Sequence, residues 1–372
     1  MTSISPYFTN YNQFPELIQS ALLVIGICLI SLLFLYLYLV FKRVNRVIHT
    51  SFQAKWSVEI NELLAELLAA DDLSTTQCVE KYTQKFKKLP INRKAIKLIV
   101  EAEIVRFHQQ FTGKTAEVFS GLYVALGLEK IAYKRLRDSN WENQVHGIKI
   151  LAQLNIKQAA PKVLVLCDDE IATLRMEAQA AFLKLSEQAP FRFLDRAREH
   201  ILEWHQLVLL EVITTAKDLS IPSFSQWLAS KNDTVVILCL KLIRQYQQFE
   251  AIPNLLDLLD HANEQVRLLA IELLGQFESY AHEEELIQRY ATALHIEKLA
   301  ILHAIGQIES GKQLDFLQAQ LGDDSYTIVF NALLAIKKHG AVGEELLEQV
   351  YETALPKNRQ LIEHVSDHRL IP

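Results

Sequence analysis

One recurring motif constrains the fold of this chain more than any other feature. It is clearest over 252–279, IPNLLDLLDHANEQVRLLAIELLGQFES. Ile252, Leu255, Leu256 and Leu259 form a short apolar stripe, with Pro253 where a first helical turn accepts proline. A polar stretch, Asp260–Glu264, interrupts it. Val266, Leu269, Ala270, Leu273, Leu274 and Phe277 then fall at i, i+3, i+4, i+7, i+8 and i+11, one face of an amphipathic helix. The end of the unit returns 31 residues later, where Gly275-Gln276-Phe277-Glu278-Ser279 becomes Gly306-Gln307-Ile308-Glu309-Ser310. With Leu274 as the marker, the equivalent slots are Leu151, Phe182, Ile213, Ile243, Leu274, Ile305 and Ala335, at steps of 31, 31, 30, 31, 31 and 30. Two helices per unit at a fixed period predict an all-α fold, a right-handed α-solenoid of about seven helical hairpins over 138–340. Unit three is the most degenerate, because FRFLDRAREHILEWHQLVLLEVITTAK has no clear Asp/Asn turn.

A solenoid exposes its terminal units, so both ends need covering. Residues 71–137 read as a helical N-terminal cap: a helix from Ser74 or Thr75 to Leu89, stopped by Pro90, then Asn92–Phe111 and Thr115–Leu126. Residues 341–372 read as an exit cap and tail, with a helix over Glu344–Leu355.

The other strong signal lies near the start. Ala21–Phe41 carries no charge over 21 residues, about 31 Å of helix, enough for a hydrocarbon core of about 30 Å. Residues 17–41 are therefore predicted to cross a membrane. A cleaved signal peptide would have a basic start, a shorter apolar core and a small-residue cleavage site, and this segment has none of these. No Lys or Arg precedes Lys42, whereas Lys42, Arg43 and Arg46 follow the span at once. The positive-inside rule then puts the short, aromatic N-terminus (1–16, with Tyr7, Phe8, Tyr11 and Phe14) outside the cytoplasmic membrane and the rest in the cytoplasm. Residues 42–70 hold no helix breaker and read as a juxtamembrane helix or stalk that continues the span.

Charge is uneven. Residues 42–137 hold 17 Lys/Arg against 10 Asp/Glu, and 138–372 hold 21 against 33. An acidic array does not suit nucleic acid, whose phosphates favour a basic face. Lys81, Lys85, Lys87, Lys88, Arg93, Lys94 and Lys97 form a basic cluster interleaved with Tyr82, Phe86 and Leu89. It is a solvated face, a contact for anionic lipid, or a docking patch.

Motifs for chemistry are missing. Gly113-Lys114-Thr115 lacks the earlier glycine of a phosphate-binding loop, since position 108 is His, and it follows a helix rather than a strand. The four cysteines are scattered without a CxxC pair, so neither a metal knuckle nor a disulfide framework is implied. Glu363, His364 and His368 could share a helix face, but in a terminal tail they read as a solvated end. No GxSxG elbow occurs, and acidic runs such as Glu283-Glu284-Glu285 stand at helix starts, where they complement the dipole. No catalytic residue, metal, cofactor or small-molecule substrate is expected.

The units resemble HEAT repeats, including the short form of phycobilisome-lyase-like proteins. The resemblance rests on a turn Asp/Asn followed by a hydrophobic–Arg pair and a small residue. Asn263, Val266-Arg267 and Ala270 carry it, as do Asp169, Leu174-Arg175 and Ala178; elsewhere the Arg slot is Gln144, Gln206, Val236, Lys298 or Ile328. It covers about 200 residues, and it implies a fold rather than an activity. The order of span, helical linker, the stretch FTGKTAEVFSGLYVALGLEKIAYKRLRDSNW and repeats also resembles membrane-anchored HEAT proteins of Bacteroidetes-type bacteria. Such proteins are often encoded near membrane glycosyltransferases, which implies a link to envelope polysaccharide synthesis.

The expectation for function is a non-catalytic, membrane-anchored scaffold that binds a protein partner. Its concave face would be lined by polar positions of the second helices: Lys149, Gln153, Lys184, Lys241, Arg244, Gln245, Glu272, Gln276 and Gln307. The alternative is an accessory subunit of a membrane glycosyltransferase or, further off, a lyase-like enzyme. Trp141, Trp204 and Trp227 are expected in the core or on ridges, and one exposed on the binding face would serve as an anchor.

Overall fold

In the computed structural model, the chain is described over residues 15–69, 74–216, 219–354 and 356–367. The described residues form helices and no strands. Residues 1–14, most of the predicted outer segment, lie outside them, as does His368. The chain divides into two units, 1–131 and 132–372.

Within the first unit, helix α1 runs without a break over Glu16–Leu68. Its Ile18–Val44 stretch is long and apolar enough to cross a membrane, with a mean hydropathy of 2.8 and no residue of that window buried. The end of α1 behaves differently. Ile60, Leu64 and Leu67 are buried, so 42–70 is not a stalk throughout, and from Ile60 it is core. They pack with α2 (Thr75–Phe86) and α3 (Lys94–His108), and α4 (Lys114–Ala125) completes the unit with Phe119, Leu122 and Tyr123. α2 ends earlier than its sequence suggests, at Phe86, but starts as expected, with a capping box between Ser74 and Gln77. Tyr82 Oη donates to the Glu66 carbonyl at 2.8 Å, and Arg106 donates to Asn61 Oδ1 at 3.0 Å, fixing α1 against α2 and α3.

Seven second helices make up the second unit: α6 (Trp141–Gln153), α8 (Ala172–Leu185), α9 (Glu203–Thr215), α10 (Asp233–Tyr246), α12 (Glu264–Gln276), α14 (His295–Ile308) and α16 (Tyr326–Lys338). Their N-caps are Asn140, Ile171, Leu202, Asn232, Asn263, Leu294 and Ser325, at steps of 31, 31, 30, 31, 31 and 31. The last step corrects the sequence register by one residue: Ile336, not Ala335, is the equivalent of Leu274. Glycine contacts agree. A Cβ on Gly275 would stand 2.7 Å from Ala304 Cα, and one on Gly306 would stand 2.8 Å from Ala335 Cα. Each glycine lets its helix approach the next backbone at the same level, so the matched GQFES and GQIES segments mark close helix packing. The left-handed position after the helix also recurs, at Asn155, Gln247, Glu278, Glu309 and Gly340.

First helices are less uniform. α5 (Glu129–Arg135), α7 (Ala160–Leu166), α11 (Ile252–Asp257), α13 (Glu283–Tyr290) and α15 (Leu314–Ala319) are α-helical. Units three and four have only 3-10 turns here, at Arg192–Arg196 and Phe224–Trp227, so they are not full hairpins. Buried aromatics replace the missing helices: Phe191 meets Phe224 edge-on at 5.0 Å, and both lie near Trp227. Trp227 is core, as the sequence suggested. α17 (Gly340–Thr353) and α18 (Pro356–Ser366) close the array, α17 beginning four residues before its predicted start.

Candidate interaction surfaces

Where the Arg slot holds Arg or Gln, its task is structural. Arg267 donates through one guanidinium nitrogen to the carbonyls of His261 at 2.8 Å and Ala262 at 2.9 Å. Its Nε donates to Glu297 Oε1 in the next unit at 2.7 Å, and both side chains are nearly buried. Arg175 ties the Asp169 and Glu170 carbonyls in the same way, and Gln206 reaches the Ile201 carbonyl at 3.0 Å. These side chains satisfy the turn between the two helices, whose carbonyls would otherwise be buried without partners.

Second helices carry the positions expected to line a binding face. Gln153, Lys184, Gln245, Gln276 and Gln307 share one register, two residues after the buried marker slot. Lys149, Lys241 and Glu272 share another, two residues before it. Neighbouring helices pair these groups laterally. Lys149 meets Glu177 at 2.8 Å, Lys241 donates to Gln206 Oε1 at 2.8 Å, and Arg244 approaches Glu272 at 3.8 Å. Lys184, Gln245 and Gln276 remain exposed, whereas Gln307 is half-buried, with its Oε1 lacking a partner beside Gly275. Two members were missed from sequence. His303 occupies the Glu272 register, and Lys338 takes the Gln307 register once the last unit is shifted. Burial, then the Lys338 charge, holds the His303 imidazolium below its usual range, against an opposing pull from Glu272. The face is thus a row of polar groups joined across helices.

The predicted basic cluster comes apart on inspection of its partners. Lys85 is bound to Glu66 and lies 5.0 Å from the Tyr82 ring centroid, while Lys81 lies 5.6 Å from the same ring. Tyr82 and Phe86 are buried, so they are core and not surface aromatics. Lys87, Lys88, Arg93 and Lys94 are exposed around the α2–α3 turn, and Lys97 is half-buried. Lys42, Arg43 and Arg46 are exposed on α1 at the end of the apolar run, with Lys42 Nζ 5.9 Å from the Tyr38 ring.

Trp141 is exposed at 36% of its full surface and Trp204 at 52%, the latter between Leu202 at 49% and Leu207 at 65%. Trp204 starts α9, in the degenerate third unit. Under it, His205 is buried and its Nε2 has no partner. Burial, then the Arg175 charge, lowers its pKa to about 4, so it is neutral in the fold.

Among the described residues no group of three or more His, Cys, Asp or Glu is placed to hold a metal ion. Grooves open at the surface among the described residues. One of about 550 Å³ lies between α17 and α18, lined by Glu344, Glu348, Tyr351 and Glu352. One of about 1070 Å³ lies across units two to four.

A comparison with curated proteins finds none that matches. The family model for HEAT repeats matches residues 252–337, which run from α11 almost to the end of α16. With its paired helices, its 31-residue N-cap spacing and its turn-binding arginines, the chain is a HEAT-repeat protein.

Proposed function

We propose that this chain is a membrane-anchored adaptor whose repeat array holds a protein partner beside the bilayer. HEAT repeats suggest a helical scaffold for protein interaction. What supports a partner on the second-helix face is the row described above. Lys184, Gln245 and Gln276 are exposed at one register of successive units, and the charged residues beside them are held laterally rather than left to sweep solvent. A pre-ordered polar row lowers the entropy lost when a partner docks. The apolar stretch of α1, unburied over Ile18–Val44, fits an anchor, and Lys42, Arg43 and Arg46 at its end fit a cytoplasmic array. Tethering raises the partner's effective concentration at the membrane without any change in intrinsic affinity.

The test is fractionation followed by affinity purification. The full chain is expected to stay with membranes through alkaline carbonate and to recover a protein partner after detergent extraction. A chain lacking residues 1–41 is expected to be soluble and to retain the partner. Release of the full chain by carbonate would overturn the anchor, and absence of any partner from both preparations would overturn the adaptor. Loss of the partner only with the span would mean that the span itself makes the contact.

A further inference from the structure

We infer that the groove across units two to four is a second protein-docking site, one that takes an acidic peptide segment carrying apolar side chains. It lies on the first-helix side and the helix–helix turns, so it is not the second-helix face, and it shares with the reading above only that the array binds protein.

Within a mostly polar lining, Val165, which keeps 72% of its surface, and the half-buried Leu164 give the groove an apolar patch. Its cations are Arg196, Arg198 and Lys231, all exposed. Several cations elsewhere in this unit have partners: Arg267 has Glu297, Arg289 has Asp260, Lys157 has Glu187, and Lys162 lies 3.6 Å from the Tyr133 ring centroid. The three in the groove make no side-chain hydrogen bond or ion pair, although carboxylates stand beside them. Those carboxylates are occupied in building the walls. Asp168 Oδ1 accepts from the Arg198 backbone N at 2.8 Å, and Asp195 Oδ1 accepts from Trp227 Nε1 at 2.7 Å. Asn232, itself buried, donates to the carbonyls of Ala197 and Glu199 at 3.0 Å each. The loop 197–199 is therefore fastened from both sides, and the Arg198 guanidinium it carries makes no hydrogen bond or ion pair within the chain.

The local fold explains how the groove arises. Unit three has a 3-10 turn at Arg192–Arg196 in place of a first helix, which leaves the side of α7 uncovered at Val165. Three unpaired cations at this gap in helix cover of a net-acidic array make the groove complementary to negative charge. A volume of about 1070 Å³ is at the top of the range for small-molecule sites, about 300–1,000 Å³, and the groove is walled by loops of three units. Charge beside the exposed Val165 fits a peptide with apolar side chains better than a phosphate ion, which would use the cations alone.

The probe is a fluorescein-labelled peptide, Glu-Leu-Glu-Glu-Leu-Glu-Glu-Leu, titrated by polarisation against the full chain in dodecylmaltoside. The triple variant R196E/R198E/K231E is compared with K130E/K134E/K312E, which changes net charge equally at exposed cations outside both proposed faces. The expected result is saturable binding that falls about tenfold or more in the groove variant, stays within about twofold in the other, and weakens with salt. Far-UV circular dichroism melts confirm that both variants fold; should the triple variant not fold, R198A and K231A singly, each expected to weaken binding about threefold, replace it. No saturable binding, or equal loss in both variants, overturns the proposal. So does binding of phosphatidylglycerol vesicles, but not the peptide, that is lost in R196E/R198E/K231E, which would make the groove a lipid contact. Because the partner of the second-helix face is scored separately, by affinity purification, failure here leaves that reading standing.

Discussion

Units five to seven and units three and four are built on the same period and use it differently. In the first group every conspicuous residue has a structural task. Gly275 and Gly306 admit the next helix, Arg267 closes its turn and reaches Glu297, and Glu278 and Glu309 take the left-handed step out of the helix. In the second group, 3-10 turns stand where first helices should be, Trp204 and Leu207 face solvent, and Arg196, Arg198 and Lys231 have no partner. The family match begins at residue 252, where the regular group starts. The repeat pattern records what stacking requires, and departures from it mark where the surface is free for something else.

Breaking the regular units should be costly. Arg267→Ala leaves the buried Glu297 carboxylate and two turn carbonyls without their donor, and it is expected to cost about 3–5 kcal/mol in chemical denaturation. The matching change in the irregular group, Gln206→Ala, removes a neutral donor and should cost about 1–2 kcal/mol. Equal costs would remove the contrast between the groups.

The irregular group should instead be sensitive to acid. His205 is neutral in the fold, with its pKa lowered to about 4, against about 6.5 when unfolded. Below about pH 6.5 the unfolded chain gains a proton that the folded chain refuses. Its contribution is therefore intact above pH 6.5 and declines toward pH 4, by up to about 3 kcal/mol. Denaturant midpoints at pH 7.5 and 5 should differ less in His205→Gln than in the parent, and an unchanged difference would show that this histidine does not sense the pH.

Smaller effects sharpen the register. Gly306→Ala puts a methyl group against the Ala335 backbone and should cost about 1–3 kcal/mol. Had Ala335 been the true marker slot, Gly306 would face a different residue and the change would be mild. Glu309→Gly relieves a left-handed residue at φ 54° and should stabilise the chain by up to about 1 kcal/mol, read as a higher Tm.

Much of the fold was legible because stacking repeats the same apolar slots. The spacing of the second helices, the turn position of Asn263 and the core role of Trp227 follow from it. The one-residue slip at Ala335 arose because Ala335 and Ile336 are both apolar and both buried, so hydropathy alone does not separate them. The 3-10 turns were hidden for a related reason: Phe191, Phe193 and Phe224 keep an apolar pattern while packing as rings instead of helix stripes. The candidate surfaces were read less well. Charge runs show where cations are, but not that Lys85 is held by Glu66 or that Asp168 is spent on backbone donors, because those partners lie 19 and about 30 residues away.

The central claim is that the second-helix face holds the partner while stacking holds the fold. It is tested most directly by quantitative affinity purification of the full chain carrying Lys184→Ala, Gln245→Ala, Gln276→Ala and Lys338→Ala together. The expected result is loss of the recovered partner by about tenfold or more, with Tm within a few degrees of the parent. Undiminished recovery of the same partner from the quadruple variant would contradict it.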